Sequence, residues 1–89
     1  MTLDRETIAR QIKDKLVEIC ELLGEDASEL ATDELIPASG LIDSAGLLEL
    51  LTWYEQHFAI ELKLEEITID NLGTISLMAD FVRIKNGAG

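Results

Sequence analysis

Between Leu16 and Leu62 the chain has no lysine and no arginine. Eleven acids fall in that interval, the first Glu18 and the last Glu61. Outside it seven acids face seven bases, so the entire formal charge of -11 sits in the middle of the chain. Such a field repels phosphate backbones and anionic lipid, which argues against nucleic acid and membrane surfaces as partners. Cys20 is the one cysteine, which excludes an internal disulfide. Its place among apolar helix positions predicts a buried, unreactive thiol. His57 is the one histidine and has no Ser or Cys at a diagnostic spacing, so a nucleophile–histidine set is not expected and a surface position is. The six glycines are scattered and build no phosphate-cradling loop, and the acids lack calcium-loop spacing, so no metal site is expected. No apolar run approaches the length of a membrane span, and the polar N-terminus does not read as a signal peptide, so a cytoplasmic location is the expectation.

What is present is an apolar majority of Leu, Ile and Ala. Hydrophobic residues make up 47% of the chain, enough to fold despite the charge. The four aromatics are Trp53, Tyr54, Phe58 and Phe81, and strand-forming residues do not dominate, so the predicted class is all-α. At 89 residues, positions 1–89 are expected to form one domain.

The periodicity predicts four helices. The first covers about 4–23, with Ile8, Ile12, Leu16, Ile19, Cys20 and Leu23 on one face. Asp4 caps its start, Leu3 and Ile8 are placed as a staple, and Gly24 stops it. Residues 25–43 read as a long loop around Pro37, Ser39 and Gly40, with a helical turn near Ala27–Ala31. Leu30, Leu35, Ile36, Leu41 and Ile42 are expected to pin that loop to the core. The second helix covers about 44–57, with Ser44 at its cap and Leu47, Leu50, Leu51, Tyr54 and Phe58 as its buried stripe. Gly46 is a weak helix former that the first turn tolerates. The alternating run Ala59–Leu64 reads as an extended loop. A short third helix is placed at about 64–69, a turn at Asp70–Gly73, and a last helix at about 74–85 with Thr74 as cap and Ile75, Met78, Phe81 and Val82 inside. The long first loop leaves the relative direction of the first two helices open.

One segment is not explained by folding alone: Gly40-Leu41-Ile42-Asp43-Ser44-Ala45-Gly46-Leu47-Leu48-Glu49-Leu50. With Leu51, with Tyr54–Leu62 and with Thr74–Val82, it resembles the acyl carrier proteins and their peptidyl and D-alanyl relatives over most of residues 3–84. The resemblance implies a four-helix bundle of the acyl-carrier type with a short third helix. It implies a monomer that is not itself an enzyme and that holds acyl or aminoacyl groups as thioesters on a 4′-phosphopantetheine arm attached to Ser44, with Asp43 as part of the motif. The partners it implies are a phosphopantetheinyl transferase and ligases or synthases of fatty-acid, lipid or secondary-metabolite synthesis, presenting basic surfaces. On that reading Glu49 and Glu55, with Glu61 and Glu65, supply docking charge, and Ala45, Leu48 and Thr52 supply apolar contact. Trp53 flanks the buried stripe and is expected to be partly buried.

Asp43-Ser44 is also an ordinary helix start, and the acids also serve simply to keep a face solvated. An aminoacyl or peptidyl carrier, and an acidic helical adaptor that is never modified, remain alternatives. Ala45 and Gly46 depart from the bulky Leu and the acid that the family often places after its serine. That departure suggests a specialised carrier with a dedicated ligase or synthase.

Overall fold

The computed structural model describes residues 4–86, in which four α-helices and two 3-10 turns occur and no strand. Helix α1 runs Arg5–Leu22. The Asp4 carboxylate accepts from the Thr7 N–H at 2.7 Å, a charged cap at the positive end of the helix, and the Thr7 side chain, then its N–H, hold the Asp4 carboxyl below the usual carboxylate range. Leu3 of the expected staple lies outside the described residues. Gly24, with φ of +81°, turns the chain away just past the helix. Ile8, Ile12, Leu16, Ile19 and Cys20 of the expected face are buried, whereas Leu23 stands at the C-cap, past the last helical turn, and is exposed.

Helix α2 runs Ser44–Phe58. Leu50, Tyr54 and Phe58 are buried, whereas Leu47 and Leu51 of the expected stripe are only half-buried because an apolar cavity opens beside them. Its C-terminal turn closes with Ala59 in the left-handed region, φ 54°, and the Ile60 N–H on the Glu55 carbonyl at 3.0 Å.

The third helix differs from expectation. Residues 64–66 form a 3-10 turn, and helix α3 is the four residues Ile69–Leu72, where a turn was expected. The cause is local capping. The Glu66 carboxylate folds back onto the Lys63 N–H at 2.9 Å and closes the first turn, and the Thr68 hydroxyl accepts from the Asn71 N–H at 3.2 Å and starts a new one. Helix α4 runs Ile75–Lys85, with the Thr74 hydroxyl capping Leu77 at 3.0 Å as expected.

The direction the sequence left open is settled by two contacts. Gly46 at the start of α2 abuts Ile19 near the end of α1, and His57 at the end of α2 meets Gln11. The two helices are therefore antiparallel. Helix α4 packs on α1 as well, with Arg5 paired to Asp80 at 2.5 Å. At the centre Tyr54 is fully buried and donates its hydroxyl to the Met78 carbonyl at 2.7 Å, tying α2 to α4. Burial pushes the phenol pKa up, and the hydrogen bond satisfies its polar atom.

The loop from Gly24 to Asp43 is held to the helices by its backbone. Lys13 of α1 donates to the Leu30 carbonyl, Ser76 N–H to the Thr32 carbonyl at 2.9 Å, and Ile36 N–H to the Gly73 carbonyl at 2.8 Å. Ala27, Leu30, Ile36 and Ile42 are buried, Leu41 is half-buried, and Leu35 stays exposed. The region Ala27–Ala31 is a single turn, Leu30 N–H on the Ala27 carbonyl at 3.1 Å. Among the described residues no helix is long and apolar enough to cross a membrane.

Candidate functional site

The loop delivers the chain to α2 through a fixed sequence of local bonds. Ser39 in the 3-10 turn Pro37–Ser39 donates its hydroxyl to the Ile36 carbonyl at 2.7 Å and accepts from the Leu41 N–H at 3.2 Å. Gly40 takes φ +75°. Ile42 then sinks into the core and lifts Asp43 and Ser44 to the surface.

Asp43, not Ser44, is the cap of α2. Asp43 has extended backbone, and its Oδ1 accepts from the Gly46 N–H at 2.7 Å, while Ser44 is already the first helical residue. The physical reason is that a carboxylate makes a stronger, charge-assisted bond to the orphan N–H than a hydroxyl does. The consequence is functional. The Ser44 hydroxyl is released from capping and stands exposed on a rigid first turn. Gly46 N–H is taken by the cap and Leu47 N–H by the Asp43 carbonyl at 2.9 Å, while the N–H groups of Ser44 and Ala45 find no acceptor among the described residues.

Gly46 is buried against the loop that precedes it. A Cβ there would lie 2.7 Å from Ile42 Cγ1 and 3.3 Å from Ile19 Cγ2. The departure from an acid at this position is therefore a close-packing requirement, a role that its weak helix propensity alone does not reveal.

On the solvent side of α2, Ala45, Leu48, Glu49 and Thr52 are exposed, Leu48 at 67%. Glu61 and Glu65 are exposed as well. Glu55 is half-buried and is turned toward its own chain, its Oε2 accepting from the Leu62 N–H at 2.8 Å. Trp53 is half-buried and stacks on the exposed His57 ring at 4.6 Å between centroids; His57 Nε2 lies 3.0 Å from Gln11 Oε1. Cys20 is fully buried, and burial together with nearby Glu25 pushes its thiol pKa up, which disfavours the reactive thiolate.

On the opposite side of α2 lies an apolar cavity of about 130 Å³. Its lining includes Leu47 and Leu51 of α2, Ile67 and Ile69 of the segment leading into α3, and Ile36 and Met78. Leu47 follows Ser44 by three residues, so the cavity begins one helical turn from the serine. Sequence reasoning missed it. The available signal was the width of the apolar arc on α2 together with Ile67 and Ile69 in a segment too short to bury them.

The family model for the phosphopantetheine attachment site matches residues 14–82. The chain belongs to the phosphopantetheine-attachment-site family. It is a carrier protein of the acyl carrier type, and its all-helical fold with a short third helix is the one expected of that group. No solved structure was found to match the chain. Carriers of this family hold 4′-phosphopantetheine covalently on a serine and are not catalytic themselves. The residues present fit that group, since the exposed Ser44 hydroxyl, with no hydrogen-bond partner among the described residues, stands beside two backbone N–H groups suited to a phosphodiester.

Proposed function

We propose that Ser44 is the serine that carries the arm, that Asp43 orients it, and that the cargo is acyl. The observation that carries this reading is the division of labour at the start of α2: Asp43 caps the helix, and Ser44 keeps an exposed hydroxyl with no hydrogen-bond partner among the described residues. The other serines are less suited. Ser39 has its hydroxyl committed to Ile36, Ser76 is half-buried in α4, and Ser28 stands in a loop without a helix start beside it. Ser44 acts as an acceptor for a separate transferase, so no general base is required of this chain. The arm, once attached, supplies the thiol on which cargo is held as a thioester.

The apolar cavity supports an acyl over an aminoacyl or peptidyl cargo. Its lining offers hydrocarbon contact and little to satisfy a peptide's polar groups. Partners are delivering and receiving enzymes of fatty-acid, lipid or secondary-metabolite synthesis, meeting a monomeric carrier in the cytoplasm. The acid-only stretch contains all of α2, and a basic partner surface complements it. Ala45, Leu48 and Thr52, with Glu49, Glu61 and Glu65 around them, form the proposed contact. Glu55 contributes by bracing the chain after α2, where it already holds the Leu62 N–H.

The test is intact mass after incubation with coenzyme A and a broad-specificity phosphopantetheinyl transferase. The native chain is expected to gain one phosphopantetheine and Ser44→Ala none. A gain retained in Ser44→Ala would move the site elsewhere, and a folded native chain that gains nothing would end the reading.

A further inference from the structure

At the end of the segment from Leu62 to Ile69, Ile67, Thr68 and Ile69 form part of the wall of the apolar cavity, and the large apolar side chains after Leu62 are exposed in good part. Leu64 is 88% exposed, Ile69 58% and Ile67 43%. Leu62 packs against the core at one end and α3 packs on α4 at the other, and polar ties hold the residues between. At the start of the segment, the Glu55 carboxylate accepts from the Leu62 N–H. Further on, the Glu66 side chain makes two contacts, Oε1 accepting from the Lys63 N–H at 2.9 Å and Oε2 pairing with Lys85 Nζ at 2.7 Å, while its backbone carbonyl accepts from Asn71 Nδ2 at 3.1 Å and from the Thr68 N–H at 3.0 Å.

The pair with Lys85 reaches furthest, because it ties the wall to α4. It differs from the other ion pairs among the described residues. Arg5 and Asp80 are each 46% exposed, and Glu18 in the pair with Lys15 is 61% exposed, whereas Lys85 and Glu66 are 24% and 22% exposed. Lys85 also lies 5.6 Å above the Phe81 ring, on a helix whose Phe81 and Val82 are buried. The ammonium is thus fixed at its base, and the wall hangs from it.

The size of the cavity gives this tie a purpose. At about 130 Å³ it is close to the roughly 150 Å³ void that takes a benzene molecule, so about six carbons fill it. The cavity is partly open to solvent, so a longer chain is kept inside it only where Ile67 and Ile69 move outward, and that movement pulls Glu66 away from Lys85. We infer that Lys85 and Glu66 are positioning residues that set the length of acyl chain the cavity accepts, by holding the Leu62–Ile69 wall toward α2. This inference rests on the acyl-carrier reading above.

The experiment loads the full chain with acyl-phosphopantetheine from acyl-coenzyme A of about four, eight and twelve carbons, chosen to bracket the cavity's size. It reads the unfolding midpoint of each loaded form against the arm-only form. In the native protein the gain is expected to be largest for the shortest chain and to fall off with length. In Lys85→Met the maximum moves at least one step toward longer chains, and Glu66→Gln, which keeps the acceptor for Lys63, moves it the same way. Lys85→Arg keeps the pair and the native profile. An unchanged profile in both Lys85→Met and Glu66→Gln overturns the inference, as does a native protein stabilised by none of the chains. Failure of Ser44 to take the arm shows in the mass before any melting; it ends the carrier reading and this inference with it.

Discussion

At the scale of single residues, two effects oppose each other at Gly46. Alanine is the better helix former by about 1 kcal/mol in a helix interior, and by less in a first turn. Against that gain stands a Cβ 2.7 Å from Ile42 Cγ1 and 3.3 Å from Ile19 Cγ2, on side chains that are themselves buried. Overpacking of this kind costs about 1–3 kcal/mol. Gly46→Ala is therefore expected to destabilise the fold by about 1 kcal/mol, measured by denaturant unfolding; a stabilised variant would show that the loop before α2 yields easily. The neighbouring Asp43 and Ser44 were legible in the sequence as a pair but not in their roles. Both residue types cap helices, and one-dimensional pattern does not say which of two adjacent cappers takes the N–H. The structure assigns the bond to the carboxylate and frees the hydroxyl.

At the scale of elements, the sequence reading succeeded where periodicity was long and failed where it was short. Helices α1, α2 and α4 each carry several buried residues at helical spacing, and their positions follow from that. The connector and α3 are too short for a period to show. Their positions follow from Glu66 and Thr68 capping, bonds that a pattern of apolar residues does not encode. The cavity was hidden for the same reason, because this connector forms part of its wall. The Glu66–Lys85 pair also gives the connector a pH dependence. Lys85, first, and the Lys63 N–H hold the Glu66 carboxyl below its ordinary pKa. A depressed carboxylate contributes stability that is present above its unfolded value and is lost as pH falls through the folded one. Glu66→Gln is thus expected to melt below the native protein at neutral pH. The gap should close as pH falls from about 5 to about 3, followed by circular dichroism. A gap that stays constant would mean the pair adds nothing to stability.

At the scale of the whole molecule, charge is the dominant feature. A net charge of -11 on 89 residues, with the excess confined to the stretch from Glu18 to Glu61, sets acids against one another across α2 and the long loop. The opposing ion pairs are partly exposed, and such pairs contribute about 0–1 kcal/mol each. Raising monovalent salt from low concentration to about 0.5 M shortens the screening length to a few ångströms and relieves the repulsion. The unfolding temperature is expected to rise across that range; a fall would show that attraction, not repulsion, governs the surface. The loop itself makes its backbone bonds to α1, to Gly73 and to α4. Each of these bonds joins the loop to residues distant in sequence, so the position of the loop, and of the start of α2 that it leads into, depends on the packed helices. On the proposed reading of Ser44 the arm's anchor is presented by the packed molecule, and a transferase that reads this perch is expected to discriminate folded chains from unfolded ones.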